Sequence, residues 1–401
     1  MASPIKSLSM KKFLPMMGNR QARFESGAAA IPSEADHAKE LAEALHPKRQ
    51  YLKVSAVTQR APDCKSFTLV PDPSRGTNAL AFFGAGKYLT VFQEIAGLPI
   101  TRAYSISSSP SDSLKGFYEL TVKRVDGGLL SNYILNNWDV GSEVEVSAPS
   151  GNFEYQPLRD ASKVIGLAGG SGITPFLSMA NAIADGDEDF DLTLLYGSRN
   201  QESILFRKEL DAIAARTPKF RVVHILSDAD CELPDGAERG FITAELIQKY
   251  APENEPYSVF LCGPQQMYAF ADKQLEKLGL ERKYIRHEMF GEFHDPKQQH
   301  DYPSDVPETV SITVTVQDET KTVTGSTSDS VMQILEKNGI AVPARCRSGE
   351  CGFCHSHLLS GKVYVPKNME YRRMADHKFG CIHPCCSFPL TDLTLNVPPA
   401  K

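Results

Sequence analysis

The stretch Arg345–Cys354 reads R-C-R-S-G-E-C-G-F-C and crowds Cys346, Cys351 and Cys354 into nine positions. A chain of 401 residues with nine cysteines is too sparse in sulfur for a disulfide scaffold. Farther on, G-C-I-H-P-C-C offers Cys381, Cys385 and Cys386. The N-terminus carries Lys6, Lys11 and Lys12, but Pro15, Asn19 and Arg20 interrupt any apolar run, so it does not read as a secretory signal. Clustered cysteines without such a signal bind metal or do redox chemistry, and a cytoplasmic protein is expected.

The spacing Cys346-x4-Cys351-x2-Cys354 suits a [2Fe–2S] cluster, which takes four thiolates around two irons. Gly349 and Gly352 let the loop turn several N–H groups toward the sulfurs. A zinc ribbon would need two separated Cys-x2-Cys knuckles, and only one is present. A Rieske centre would need two histidine ligands, and His355 and His357 do not replace a cysteine at the required spacing. The fourth thiolate must come from Cys381, Cys385 or Cys386. The segment C-C-S-F-P-L-T-D-L-T-L resembles the closing signature of plant-type ferredoxins, in which a cysteine stands four residues before Pro and seven before Asp. Pro389 and Asp392 then select Cys385.

Around this loop, T-V-S-I-T-V-T-V and K-T-V-T-G read as a hairpin and L-T-L-N-V as a last strand. Asp329 is expected to cap the helix S-V-M-Q-I-L-E-K-N, and Gly339 to end it. Residues 309–401 thus read as an α+β ferredoxin domain of β-grasp type. The polar stretch 294–308, with three prolines, reads as a linker.

Before the linker, residues 159–293 alternate buried strands with helices. K-V-I-G-L-A-G-G, D-L-T-L-L-Y-G-S-R, R-V-V-H-I-L-S and Y-S-V-F-L-C-G-P imply an α/β domain with a parallel sheet. Residues 49–158 change to a period of two in six short strands, which implies a small antiparallel β-barrel. Residues 1–48 read as an extension with a helix from Ser33 to Leu45, capped by Ser33 and stopped by Pro47.

T-R-A-Y-S-I-S-S-S-P, Thr101 to Pro110, resembles the flavin-binding Arg-x-Tyr-Ser strand of the ferredoxin–NADP reductase superfamily. Alternation puts Arg102 and Tyr104 on one face, where Arg102 can grip a flavin phosphate and Tyr104 can pack on the ring. The resemblance implies that Ser105 hydrogen-bonds near flavin N5. Gly127 and Gly128 precede a short helix containing Ser131, an anion site that holds flavin phosphates in similar proteins. K-R-V-D-G-G-L-L-S-N-Y looks more like the FAD than the FMN members, so FAD is expected.

G-L-A-G-G-S-G-I-T-P, Gly166 to Pro175, is not a Gly-x-Gly-x-x-Gly fingerprint but resembles the pyridine-nucleotide loop of the same superfamily. Gly170 and Gly172 admit a pyrophosphate to the helix N-terminus. The resemblance places Thr174 by the nicotinamide, Ser198 and Arg199 near the adenosine ribose, and Cys262 with Gly263 near the nicotinamide. It also sets an acidic residue and an aromatic, Glu288 and Phe290, near the flavin. Ser105, Cys262 and Glu288 are the expected catalytic set. The coenzyme, NADH or NADPH, stays open; Ser198, Arg199 and Arg207 could receive an extra phosphate.

This order of modules resembles the reductase components of multicomponent oxygenases. It implies electrons running from NAD(P)H to FAD to [2Fe–2S] to a partner protein. Alternatives are a different acceptor, or a redox sensor or carrier without nucleotide turnover. Arg345, Arg347, Arg372 and Arg373 around the loop imply a partner surface that is not strongly basic, unless they only support the loop. The net charge of −6 argues against generic nucleic-acid binding, and no apolar run is long enough to span a bilayer.

Overall fold

The computed structural model describes residues 36–289 and 291–399, with Gly18, Arg20, Ala22, Ser26 and Gly27. Ser33 and Phe290 lie outside the described residues. The chain forms two units, residues 1–45 and 46–401. In the first, α1 (His37–Leu45) starts where the Asp36 carboxylate accepts the Lys39 N–H at 3.0 Å. All of α1 is exposed.

The second unit begins with a six-stranded antiparallel sheet of β1 (Gln50–Ala61), β2 (Cys64–Pro71), β3 (Tyr88–Ile95), β4 (Leu98–Ser105), β5 (Tyr118–Lys123) and β6 (Glu143–Val146). Their order is β4-β3-β6-β1-β2-β5. An Ile106–Leu120 bridge brings the two edges together and closes the barrel. Alternate residues Leu52, Val54, Phe67, Leu69, Leu89, Val91, Leu120 and Val122 fill its interior. Helix α2 (Pro110–Leu114) precedes β5, and α3 (Leu129–Asn137) covers one end against Phe67 and Trp138.

The next sheet runs in order β10-β9-β8-β7-β11-β12 and is parallel throughout. Its elements are β7 (Lys163–Gly169), α4 (Thr174–Asp185), β8 (Asp191–Ser198), α5 (Arg207–Arg216), β9 (Phe220–Leu226), β10 (Glu238–Arg239), α6 (Ala244–Tyr250), β11 (Tyr257–Cys262), α7 (Gln265–Leu278) and β12 (Ile285–Glu288). The chain winds outward from β7 to β8 and β9, then returns to β11 on the other side. The strand order therefore reverses at β7, and the carboxyl ends of β7 and β11 form the crevice where such sheets bind ligands. The strands are near-continuous apolar runs because helices cover both faces.

The third sheet, β14-β13-β19-β15-β17, comprises β13 (Thr309–Val316), β14 (Glu319–Ser326), β15 (Ser356–Ser360), β17 (Cys381–Ile382) and β19 (Leu393–Val397). A second pair joins β16 (Val363–Tyr364) to β18 (Phe388–Pro389). Helix α8 (Val331–Lys337) packs on the sheet, and α9 (Met374–Lys378) lies before β17. The α8 cap is Ser330, not Asp329. Its hydroxyl accepts the Gln333 N–H at 3.2 Å while Gln333 Oε1 accepts the Ser330 N–H at 2.7 Å. Reciprocal satisfaction of two end donors favours this box over a lone carboxylate. Residues 294–308 touch the β16–β18 pair: Asp301 accepts the Tyr364 hydroxyl at 2.7 Å and Tyr302 meets Tyr364 edge-on.

Candidate functional site

Arg102, Tyr104 and Ser105 lie on β4, in register with Val91, Leu89 and Tyr88 of β3. Ser105 is buried and its hydroxyl has no partner among the described residues. Gly128 caps α3; a Cβ there would meet Ser131 Oγ at 2.7 Å and Val125 Cβ at 2.9 Å, so only glycine lets the turn close. Gly127 precedes it at φ +69°. Ser131 Oγ accepts the Val125 N–H at 3.3 Å, fixing the loop before the helix.

At the switch point, Gly170 takes φ +53°. A Cβ on Gly172 would lie 2.2 Å from the Cys262 carbonyl, and one on Gly263 would lie 2.5 Å from Met267 Sδ. The glycines thus allow the ends of β7 and β11 to touch, and side chains would fill the approach. Thr174 Oγ1 donates to the Ser171 carbonyl at 3.1 Å and opens α4. Ser198 Oγ is buried beside Tyr196, and Arg199 next to it is exposed. Arg207 donates to Gln201 Oε1 at 3.0 Å.

Cys262 and Glu288 end the neighbouring strands β11 and β12 in register. The Tyr268 hydroxyl ties them by donating to the Glu288 carbonyl and accepting the Gly263 N–H at 3.1 Å. Burial, with Glu288 next to it, pushes the Cys262 thiol far above its usual range, so it is a neutral thiol and no nucleophile. Burial likewise drives the Glu288 carboxyl up, helped by Glu350 and Cys346 and opposed by Lys87. Its Oε2 has no hydrogen-bond partner among the described residues. Tyr88, missed by sequence reasoning, stands across from Ser105; burial first, and then its neighbours Cys346, Cys351, Glu288 and Glu350, push its hydroxyl far up. Glu288, paired with Cys262, and Tyr88, paired with Ser105, thus both lie within electrostatic reach of the cysteine loop.

In that loop Gly349 and Gly352 take φ +87° and +65°. Cys346 Sγ accepts the Ser348 and Cys351 N–H groups at 3.4 Å, and Cys351 Sγ accepts that of Phe353 at 3.4 Å. Cys354 Sγ lies 3.4 Å from Cys385 Sγ. Hydrogen bonds from Cys351 and Cys385 hold the Cys346 thiol well below its usual range against its burial. Cys386 points to the carbonyls of His383 and Met369, and Cys381 to that of Phe379. No described group of His, Cys, Asp and Glu is arranged for a single metal ion. A two-iron cluster divides its four thiolates between the irons, and the four convergent thiols fit that demand.

Arg347, which the sequence leaves as either a docking charge or a support of the loop, is buried to 1% exposure. Its φ is +60°, left-handed for a residue with a Cβ. The side chain bonds Glu336 of α8 at 2.6 Å, Glu292 at 2.8 Å and the Thr101 carbonyl of β4 at 3.1 Å. Arg372 pairs with Glu370, and Arg345 lies 4.2 Å over the Phe353 ring. Charge count alone could not reveal that Arg347 points inward.

The barrel with its phosphate-type glycine turn, the nucleotide crevice and the four-thiol loop together define a flavin- and pyridine-nucleotide-dependent reductase with a built-in iron–sulfur carrier. Three family patterns match: the oxidoreductase FAD-binding domain at residues 52–155, the oxidoreductase NAD-binding domain at 167–273, and the 2Fe-2S iron-sulfur cluster binding domain at 314–390. The chain is 30% identical over 362 residues to a glycine betaine monooxygenase reductase subunit of Pseudomonas aeruginosa, covering 87% of this chain and 95% of that protein. It is 30% identical over 353 residues to the ferredoxin reductase component of a 3-ketosteroid-9-alpha-monooxygenase from Rhodococcus rhodochrous, covering 85% and 94%. Among solved structures, phthalate dioxygenase reductase, described as a modular structure for electron transfer from pyridine nucleotides to [2Fe–2S], aligns with TM-score 0.60 and 25% identity over 87% of this chain and 98% of that one. The chain belongs to the ferredoxin–NADP reductase superfamily, in the branch with a C-terminal plant-type [2Fe–2S] domain. It is an NAD(P)H-dependent oxidoreductase using FAD and a [2Fe–2S] cluster.

Proposed function

We propose that this chain is the reductase of a two-part oxygenase system, acting in the cytoplasm and delivering single electrons to a separate terminal oxygenase. The names of its relatives support the acceptor class. No described helix is long and apolar enough to cross a membrane. The working division of the chain is an extension at 1–48, a flavin barrel at 49–158, a nucleotide domain at 159–293, a linker at 294–308 and a cluster domain at 309–401. The observation that carries the reading is that the strand pairs Cys262–Glu288 and Tyr88–Ser105 each place one member, Glu288 and Tyr88, within electrostatic reach of the cysteine loop.

When bound, FAD supplies the conversion of a paired hydride into single electrons. The protein's part is placement. Gly170 and Gly172 leave the α4 N-terminus open to a dinucleotide pyrophosphate, with Thr174 at its edge. Ser198 and Arg199 offer a hydroxyl and a guanidinium to the adenosine ribose. Cys262, uncharged, and Gly263 shape the nicotinamide end without attacking it. Ser105 would offer its buried hydroxyl near flavin N5, and Glu288 would hold a proton beside Cys262. Arg102, with Gly127, Gly128 and Ser131, would hold the flavin phosphates, and Tyr104 would pack on the ring. Cys346, Cys351, Cys354 and Cys385 hold the irons.

The decisive experiment mixes the reconstituted protein anaerobically with NADH and, separately, NADPH. Loss of the flavin band followed by bleaching of the cluster is expected with at least one of them. A cluster that stays oxidised with both coenzymes would sink the reading.

A further inference from the structure

Glu292 stands where three modules meet. It follows β12 in the chain, yet its carboxylate serves the other two modules. Oε2 accepts Arg102 Nη2 of the barrel at 3.0 Å and Gln333 Nε2 of α8 at 3.0 Å. Oε1 accepts Arg347 Nε at 2.8 Å, and Arg347 Nη2 donates to it as well. Arg347 also reaches Thr101 Oγ1 at 3.1 Å, one residue from Arg102. The side chains of Arg347, Glu292 and Glu336 are only 1%, 6% and 9% exposed.

Removing these charges from water is costly, and a well-packed apolar cluster would hold the modules together as firmly. What a hydrogen-bonded charge cluster adds is geometry, because each guanidinium satisfies its carboxylates in only a few orientations. The left-handed backbone of Arg347 fits this role, since such a conformation persists only where its surroundings over-determine it. Arg347 directly follows Cys346. Any shift of Arg347 therefore shifts the first sulfur of the cluster loop.

We infer that Glu292 is a positioning residue that locks the cluster loop, through Arg347, to the flavin strand, through Arg102, and so fixes the path of the electron from flavin to cluster. The inference rests on the proposed reading that Arg102 grips flavin phosphate and Cys346 ligates iron. It assigns no chemistry to Glu292. One carboxylate is shared between the arginine of the flavin strand and the arginine of the cluster loop, so the two cofactor sites are registered against a common point.

The test compares FAD- and cluster-loaded wild type with Glu292→Gln, which keeps shape and acceptor oxygen but removes the charge. In anaerobic single-turnover mixing, the variant should bleach its flavin with NAD(P)H within about twofold of wild type, while cluster reduction slows by about tenfold or more. Trypsin cleavage after the exposed Lys297, which needs neither coenzyme nor turnover, should accelerate by about fivefold as the module loosens. Glu292→Asp, which retains the charge, should lie closer to wild type in both measurements. Unchanged cluster reduction and cleavage would overturn the inference, as would an equal loss of both rates, which marks general damage. A wild type whose flavin fails to bleach would instead defeat the proposed function, and the cleavage comparison would still decide the lock.

Discussion

Cys262 and Glu288 stand side by side at the carboxyl ends of β11 and β12, in parallel register, with the Tyr268 hydroxyl binding the backbone of both strand ends. Both groups are buried in their uncharged forms. In the proposed function, they would contribute shape and a held proton to hydride transfer rather than charge. Cys262→Ala should slow flavin bleaching by about ten- to a hundredfold with little loss of bound FAD, because a misplaced nicotinamide costs rate more than binding. Stopped-flow absorbance with a parallel flavin assay checks this; equal loss of FAD would point to damage.

Gly172 tolerates no side chain. Gly172→Ala drives a methyl into the Cys262 carbonyl and must part β7 from β11. The expected result is a rise in KM for NAD(P)H of about tenfold or more, with FAD and cluster content unchanged. Initial rates with a small artificial acceptor measure it.

Cys385→Ser should abolish the visible iron–sulfur spectrum, whereas Cys381→Ser and Cys386→Ser should keep it. The Cys354–Cys385 sulfur pair, 31 residues apart in sequence and 3.4 Å apart in space, motivates the choice. Absorbance and electron paramagnetic resonance after reconstitution check all three, and a spectrum that survives in Cys385→Ser would move the fourth ligand elsewhere.

Arg286 and Asp160 form a bidentate buried pair, at 2.8 and 2.6 Å, and Arg286 also donates to the Asn152 carbonyl at 2.8 Å. The pair joins β12 to the connection that leaves the barrel. Asp160→Ala leaves a guanidinium unpaired in the interior and should cost about 3–5 kcal/mol. Chemical denaturation followed by tryptophan and flavin signals reports it.

Glu188 supplies a pH test. Burial, with Glu154 and Asp187 facing it, raises its carboxyl from 4.5 to about 7. Glu154, in turn, pairs with Lys87. A raised carboxyl is protonated more readily in the native state, so its stabilising contribution is complete below about pH 4.5 and fades as pH climbs through about 7. Glu188→Gln should therefore gain about 1 kcal/mol at pH 8, after allowance for partial exposure, and little at pH 4. Thermal melts across that range decide it.

Sequence reading served best where the signal is local. The cysteine loop, the period-two strands and the glycine turns each depend on neighbours a few residues away, and the flavin barrel, parallel sheet and ferredoxin module followed from them. It failed where a residue answers to distant partners. Arg347 looks like any surface arginine until Glu292, 55 positions before it, and Glu336 on α8 are brought alongside. Tyr88 carries no motif; only pairing of β3 with β4 puts it opposite Ser105. Asp329 and Ser330 are both good caps on paper, and a reciprocal bond with Gln333 decides between them. The two-residue strands β16, β17 and β18 are too short to show a period.

The place of β19 has a consequence for biosynthesis. This strand, which follows all the other described strands in the chain, sits between β13 and β15 and hydrogen-bonds to both. On the ribosome, the barrel and the nucleotide sheet have all their strands well before the cluster module receives its central one. A nascent or prematurely stopped chain would thus be able to take up flavin and coenzyme while lacking a closed home for iron. Such a chain could draw reducing power with no protein wire to carry it onward, leaving dissolved oxygen as the nearest outlet.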